Sequence, residues 1–338
     1  MTDLLSVIVP CFNEEAVLPL THDRLRRALD AVGMPWEVLY VDDGSRDRTR
    51  EIAMAFAADD ERVKVISLSR NFGHQAAVTA GLNHAAGTAV AIIDADLQDP
   101  PEVLGRMVEK WREGYDVAYG LRTERIGESA FKLWTARLFY RLMNRLSDVP
   151  IPLDVGDFRL LSRRAVDAFN AMPECDRFIR GMVAWVGFRQ VAVPYSRDRR
   201  QAGVSKYPLR KMLHFAWDGI LSFSDAPARL ATTVGFVALG IATLVALQVF
   251  VAYFFAKQTT PGWTSTFLAI MFLGGVQSLC IGVLGEYIAR IYREVKRRPL
   301  YLVAATANLP GPEATSPARP GRAEGRPGLA AAADGAAP

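Results

Sequence analysis

The sequence predicts an α/β fold, a Rossmann-like, mostly parallel sheet domain, followed by an interfacial amphipathic helix and two transmembrane helices. Three observations carry this. Short apolar runs alternate with amphipathic helical stretches across the first third of the chain, the pattern of a parallel sheet covered on both faces. The runs end in acidic or glycine-bearing turns. Two later stretches, 230–256 and 258–285, contain no charged residue, and each exceeds the roughly 20 apolar residues that cross a hydrocarbon core as a helix.

The elements follow in order. Strand-like runs occupy 4–10, 36–41, 63–68, 89–93 and 116–119, with helical stretches at 15–32, 47–58, 74–86 and 101–113 between them. Continuous apolar runs such as 89–93 suit strands buried on both faces. The first strand lacks the Gly-x-Gly-x-x-Gly turn of dinucleotide-binding folds and leads instead into Pro10-Cys11-Phe12-Asn13-Glu14-Glu15. Residues 128–146 read as a helix in which Phe131, Trp134, Phe139 and Tyr140 lie beside Lys132, Arg137 and Arg141. Residues 207–223 place Leu209, Met212, Leu213, Ala216, Ile220 and Phe223 at helical spacing, an amphipathic helix that can lie in the lipid interface. The expected divisions are a globular domain at 1–205, a juxtamembrane helix at 206–228, the spans within 229–289, a basic segment at 290–307 and a disordered tail at 308–338, rich in Ala, Gly and Pro.

Charge sets the orientation. Lys257 alone separates the spans, whereas Arg210, Lys211 and Arg229 precede them and Arg290, Arg293, Lys296, Arg297 and Arg298 follow. The excess of Lys and Arg on both outer flanks puts both termini in the cytoplasm, as in a bacterial inner-membrane protein. Residues 4–10 are too short, and lack the preceding basic segment, for a secretory signal. Cys11, Cys175 and Cys280 fit no disulfide or zinc spacing. The net charge of +4 gathers beside the spans, which favours contact with anionic lipid heads over nucleic-acid binding. Small residues recur every fourth position (Ala238, Ala242, Ala246; Gly274, Ser278, Gly282), so close helix packing and a homo-oligomer are expected.

The chemistry-bearing segments end predicted strands. In Ile92-Ile93-Asp94-Ala95-Asp96-Leu97-Gln98-Asp99-Pro100-Pro101, residues two apart in an extended chain point to one side, so Asp94 and Asp96 can converge on a divalent cation. Taken alone, Asp-x-Asp also suits a solvated acidic turn. Val41-Asp42-Asp43-Gly44-Ser45-Arg46-Asp47 repeats the pattern; its carboxylates can accept hydrogen bonds from a base or ribose, or Ser45 or Asp47 can simply cap a helix. In Pro10-Cys11-Phe12-Asn13-Glu14, Phe12 can stack beside a base and Glu14 can accept from it. Three acidic clusters on one sheet edge repel one another unless a cation or donor groups sit between them. Arg122, and the loop holding Arg199, Arg200 and Lys206, supply opposite charge suited to phosphate.

These segments, with Arg70-Asn71-Phe72-Gly73-His74-Gln75, Asp154-Val155-Gly156-Asp157-Phe158-Arg159, Ser205-Lys206-Tyr207 and Gly285-Glu286-Tyr287, resemble glycosyltransferase family 2 over about residues 4–303. The likeness is to its polyprenyl-phosphate branch, the dolichol-phosphate mannose synthases and undecaprenyl-phosphate glucosyltransferases. It implies a GT-A fold and inverting transfer of a sugar from a nucleotide-sugar to polyprenyl phosphate, with Mg²⁺ or Mn²⁺ as cofactor and UDP-glucose as the first expected donor. It implies that Pro10, Phe12, Glu14, Val41 and Asp43 line the nucleotide pocket, that Asp94, Asp96 and Gln98 hold the metal with Ala95 beside the donor, and that Arg122, Arg200 and Lys206 touch donor or acceptor phosphate. Arg137 is a looser match for an acceptor-phosphate arginine. Asp157, with Asp154 as second choice, matches an acid near the acceptor. The Gln-x-x-Arg-Trp motif of processive synthases is replaced by Arg180-Gly181-Met182-Val183-Ala184-Trp185, so single transfer is expected. A mannose synthase using GDP-mannose, a transferase acting on a diacylglycerol or protein, and a nucleotide-binding membrane protein without turnover are the rivals.

Overall fold

A computed structural model describes residues 3–123, 155–198 and 262–309, with part of the stretch between 231 and 248. Arg137, Asp154, Arg200, Lys206 and the expected helices at 128–146 and 207–223 lie outside the described residues.

Eight strands form one sheet: β1 (Leu5–Cys11), β2 (Trp36–Asp42), β3 (Val63–Leu68), β4 (Ala89–Ile92), β5 (Val117–Arg122), β6 (Val155–Ser162), β7 (Gln190–Tyr195) and β8 (Val303–Ala307). Their order is β7-β5-β6-β4-β1-β2-β3-β8. The strands β4, β1, β2 and β3 run parallel, as do β5 and β7, while β6 is antiparallel between β4 and β5, and β8 is antiparallel on β3. The strands expected from apolar runs form within two or three residues of their expected bounds. β6, β7 and β8 were not among them.

The helices α1 (Leu18–Val32), α2 (Thr49–Asp59), α3 (His74–His84), α4 (Val103–Arg112), α5 (Arg163–Ala171) and α6 (Ile179–Trp185) cover the sheet. Every residue of β1 and β2 is buried, which is why these strands read as unbroken apolar runs rather than alternations. Successive side chains feed two cores: Val7, Val9, Val38 and Tyr40 face α1 and α2, while Ile8, Leu39, Val41 and Ile66 face α3 and α5. A charge buried in the middle of β2 breaks the pattern. Glu37 accepts from Ser6 Oγ and the Ala86 N–H and pairs with Lys64 at 2.5 Å, so its burial is compensated on both oxygens.

The last helix, α7 (Trp263–Lys296), runs past the expected end of the second apolar stretch. Within it Phe272–Lys296 is the one helix among the described residues long and apolar enough to cross a membrane, and none of its apolar window is buried against protein. Ile270, Phe272, Leu279, Ile281, Leu284 and Ile288 are all more than half exposed. The described residues between 231 and 248 are helical, and Ala231 touches α7 through its carbonyl, 3.4 Å from Cys280 Sγ. Ala238 is buried, while Ala242 and Ala246 lie outside the described residues.

Beyond α7 the chain returns to the sheet. Arg297 adopts a left-handed conformation (φ 49°) that ends the helix. Tyr301 is then buried and its hydroxyl bonds Asn83 of α3 at 2.9 Å. β8 pairs with β3, and the Asn308 amide bonds the carbonyls of Ala57 and Val63.

Candidate active site

Strand direction assembles the site. β1, β2 and β4 are parallel, so Pro10–Cys11, Val41–Asp42 and Ile92 all end at one edge, the edge where open sheets of this class bind ligands. β6 enters from the opposite direction, and its register sets Ile92 against Arg159. Continuing that register brings Asp157 beside Asp94. β5 pairs Leu121 with Val155, and β7 sets Tyr195 beside Arg122, so Arg122 reaches the same edge. Residues far apart in sequence therefore meet because of one antiparallel strand.

The loops after β1 and β2 are stitched into one wall. Asn13 N–H donates to Ser45 Oγ at 3.0 Å, Glu14 N–H to Thr49 Oγ1 at 2.8 Å, and Arg46 N–H to the Asn13 side chain at 2.8 Å. Asp47 accepts from both the Thr49 N–H and Thr49 Oγ1 just before α2, whose N-cap position, Arg48, has no side-chain cap, and Ser45 does not cap it either. Pro10 and Val41 are buried, while Phe12 and Glu14 are partly exposed in this wall. Asp43 is buried, and its two oxygens accept the Phe72 and Gly73 N–H groups at 2.7 and 2.9 Å. Burial raises its pKa despite those bonds. Asp43 thus holds the loop after β3, which leaves only its remaining lone pairs available for other donors.

Asp94 and Asp96 follow β4, with Ala95 buried between them. The turn is strained: Leu97 has φ 56°, and Asn13 in the facing loop also has φ 56°. Non-glycine residues held in that region cluster at functional sites. Gln98 N–H donates to Asp96 Oδ1 at 3.1 Å, and the buried carbonyl of Ala95 accepts from Thr21 Oγ1 at 2.6 Å, which fixes the loop on α1. Burial raises the Asp94 carboxyl to about 6, with the neighbouring charges of Asp157, Asp99 and Asp96 adding to it and His74 opposing. Among the described residues no three His, Cys, Asp or Glu side chains form a ready-made metal cage. Two carboxylates with Gln98 beside them offer the hard oxygen donors that fit Mg²⁺ or Mn²⁺, which keep positions for phosphate oxygens.

The other half of the site is basic. Asp157 is almost buried, and the Arg180 guanidinium grips it with two bonds, 2.8 Å to Oδ1 and 3.1 Å to Oδ2. His74 Nε2 lies 3.4 Å from Asp157 Oδ2, and Arg159 Nη2 3.9 Å from Oδ1. Burial alone would raise the Asp157 pKa, but His74 and Arg180 together hold it well below the usual carboxylate range. Burial lowers the Arg159 pKa to about 10. A second knot places Arg122. Asp99 is fully buried and accepts from Tyr195 Oη at 2.5 Å; Arg122 Nε donates to the same hydroxyl at 3.2 Å, and Arg197 Nε lies 3.5 Å from Asp99. Gly156 leaves room for this arginine: a Cβ there would lie 2.6 Å from Arg122 Nη2.

The structure thus brings Pro10, Phe12, Glu14, Val41, Asp43, Asp94, Ala95, Asp96, Gln98, Arg122 and Asp157 to one edge. It adds His74, Asp99, Arg159, Arg180 and Tyr195, which sequence reasoning did not place there. His74, Asp99 and Arg159 lay inside motifs already noted, and Arg180 opens the stretch that stands where processive synthases carry Gln-x-x-Arg-Trp, though nothing there pointed to its pairing with Asp157.

A mostly parallel, open α/β sheet with carboxylates at one edge and arginines beside them is the GT-A-like arrangement of glycosyltransferases. The family model described as glycosyl transferase family 2 matches residues 6–169. An uncharacterised glycosyltransferase of Bacillus subtilis (strain 168), YkcC, is 48% identical over 298 residues, covering 88% of this chain and 92% of its own. A bactoprenol glucosyl transferase of Shigella phage SfII is 41% identical over 299 residues, covering 88% of this chain and 97% of its own. The glucosyl-3-phosphoglycerate synthase of Mycobacterium tuberculosis, solved with Mn²⁺, UDP and phosphoglyceric acid, is 22% identical, with a TM-score of 0.44 over 64% of this chain and 75% of that one. The chain belongs to glycosyltransferase family 2.

Proposed function

We propose that the protein transfers glucose from UDP-glucose to polyprenyl phosphate, of the undecaprenyl (bactoprenol) type, at the cytoplasmic face of a membrane that α7 crosses. Relatives at 40–41% identity that carry the name bactoprenol glucosyl transferase support the sugar and the acceptor. The observation that carries the mechanism is the meeting, at one sheet edge, of Asp94 and Asp96 with the arginine-held Asp157 and with Arg122. A GDP-mannose donor is the runner-up, and a donor panel with undecaprenyl phosphate separates the two.

The reaction is one displacement. An oxygen of the lipid phosphate attacks the anomeric carbon as the bond to the nucleoside diphosphate breaks, and configuration inverts. Phe12 and Glu14 position the base, and Asp43 shapes that pocket through the loop it holds. Asp94, Asp96 and Gln98 would hold a divalent cation, which when bound supplies positive charge to the leaving diphosphate. Arg122, with Arg200 and Lys206, neutralises phosphate charge as it develops. A phosphate monoester has a second pKa of about 6, so the nucleophile is ionised near neutrality without a strong base. Asp157, held acidic, orients the acceptor rather than taking a proton.

Asp96→Asn tests the reading. The side chain is only partly buried and lies beyond the end of β4, outside both cores, so the variant is expected to fold and insert normally while transfer falls by at least about 10²-fold. Chelator is expected to abolish wild-type transfer. Full activity of purified Asp96→Asn, or of wild type in excess chelator, refutes the metal role.

A further inference from the structure

Four consecutive residues after β3 reach four walls of the site. Phe72 and Gly73 give their N–H groups to Asp43 at the end of β2. Gly73, at φ 100°, turns the chain through a conformation that side-chain-bearing residues rarely adopt, and α3 starts at once with His74. His74 Nε2 is shielded from solvent and has no hydrogen-bond partner, yet it lies 3.4 Å from Asp157 Oδ2 and 3.8 Å from Asp94 Oδ1. Gln75 Oε1 accepts the Ile179 N–H at 3.0 Å, one residue before the Arg180 that grips Asp157.

We propose that His74 is a positioning residue of the transfer reaction, the spacer between the donor-side carboxylate Asp94 and the acceptor-side carboxylate Asp157, and that Phe72–Gln75 is the brace holding it there. This rests on the transfer reading for what the two carboxylates face, but not for the geometry. Asp157 lies on β6 and Asp94 two residues beyond the end of the neighbouring β4, side by side if the Ile92–Arg159 register is continued, and two carboxylates so placed repel unless a donor stands between them. The imidazole is that donor. Its contacts to both oxygens are longer than a good hydrogen bond, so it is committed to neither and can tighten when substrates enter. An in-line displacement needs its reacting atoms about 3–3.5 Å apart, and a misplacement of about 1 Å can cost about 10²-fold. Fixing the separation of Asp94 and Asp157 therefore fixes how donor and acceptor meet.

The test uses purified full-length protein with His74→Ala, His74→Gln, Asp157→Asn and the His74→Ala/Asp157→Asn double variant. His74→Ala is expected to lower kcat about 10²-fold while KM for UDP-glucose stays within about threefold. Added imidazole is expected to restore part of that kcat, and His74→Gln, which keeps a donor, to fall between the two. The two single melting-temperature losses should sum to more than the double variant shows, because they remove one contact. A kcat within about twofold of wild type, a loss confined to KM, no rescue by imidazole, or additive melting losses each overturn the brace. The melting cycle needs no substrate. Failure of wild type to glucosylate undecaprenyl phosphate alongside non-additive melting would sink the transfer reading and leave the brace standing.

Discussion

Replacing Asp157 with Asn separates two jobs that a buried carboxylate beside the acceptor can do. As an orienting group it needs its shape and its grip on Arg180; as a general base it needs its charge. Arg180 donates two charge-assisted bonds, at 2.8 and 3.1 Å, to a carboxylate whose side chain is 10% exposed. Asn keeps one acceptor oxygen and turns an NH₂ group toward the other guanidinium nitrogen. One such bond is worth about 1.5–3 kcal/mol, so the variant should lose about 2 kcal/mol of stability. At about 2–4 °C per kcal/mol for a domain of this size, melting should fall by about 4–8 °C. The expected kinetic cost is about 10-fold in kcat, the effect of a loosened acceptor, because a carboxylate held this acidic is a weak base. General-base catalysis contributes about 10²–10⁴-fold. The assay is incorporation of labelled glucose into undecaprenyl phosphate by purified protein, with melting measured on the same sample. A loss beyond about 10³-fold in a folded variant with unchanged donor and lipid binding would refute the orienting role.

The remaining expectations are independent of that residue. Gly156→Ala places a Cβ against Arg122, so kcat/KM should fall about 10-fold with little change in melting; wild-type kinetics would show that Arg122 is not held where phosphate is bound. Asp116 pairs with Arg164 and accepts from Ser162 Oγ, contacts that lower its pKa. Its charged form adds stability above the unfolded Asp value of about 3.9, and that stability is lost as pH falls through the depressed folded value. Asp116→Asn should therefore melt below wild type at pH 7, with the gap closing below about pH 4; a gap constant with pH would contradict the assignment. The small-residue stripes of the two apolar stretches are expected to pack between subunits, so crosslinking in native membranes should give a homo-oligomer, and a fully active monomer in mild detergent would count against it.

The strands legible in sequence are those whose environment is simple. β1, β2 and β4 are buried on both faces and read as apolar runs, and each ends in the residues that give the edge its chemistry. β6 was hidden by its cargo: Asp157 and Arg159 are charged residues in a buried strand, Asp157 compensated by Arg180 and His74 from other elements and Arg159 by Asp157 and the Gly156 carbonyl. β8, five residues of Val, Ala and Thr behind a basic helix end, is mostly alanine, which has low strand preference, so it does not announce a strand. The expected crowding of acids at one edge was sound, and so was its remedy in part: the donors between them are His74, Arg180 and the N–H groups of Phe72 and Gly73. Those donors depend on the chain path after β3 and on the placement of α6, neither of which has a local signature.

β8 also bears on how an enzyme of this kind meets its acceptor. The chain leaves α7 and within a few residues is buried again, through Tyr301, β8 and the Asn308 bonds to the α2–β3 turn. The end of α7 is tied a second time, where Arg293 bonds Asp176 at 2.7 Å and Glu294 accepts the Cys175 N–H at 2.5 Å. The Cys175–Asp176 loop runs directly into α6, the helix that carries Arg180 and hence holds Asp157. A helix with an uncovered apolar surface is thus joined to the sheet on one side and, through α6 and Arg180, to Asp157 on the other. If α7 stands in the bilayer, these two attachments set the catalytic edge at a fixed height and tilt above it. A lipid phosphate is confined to the headgroup layer, so holding that edge in place removes part of the positional freedom that a freely tethered domain would have to lose at every turnover.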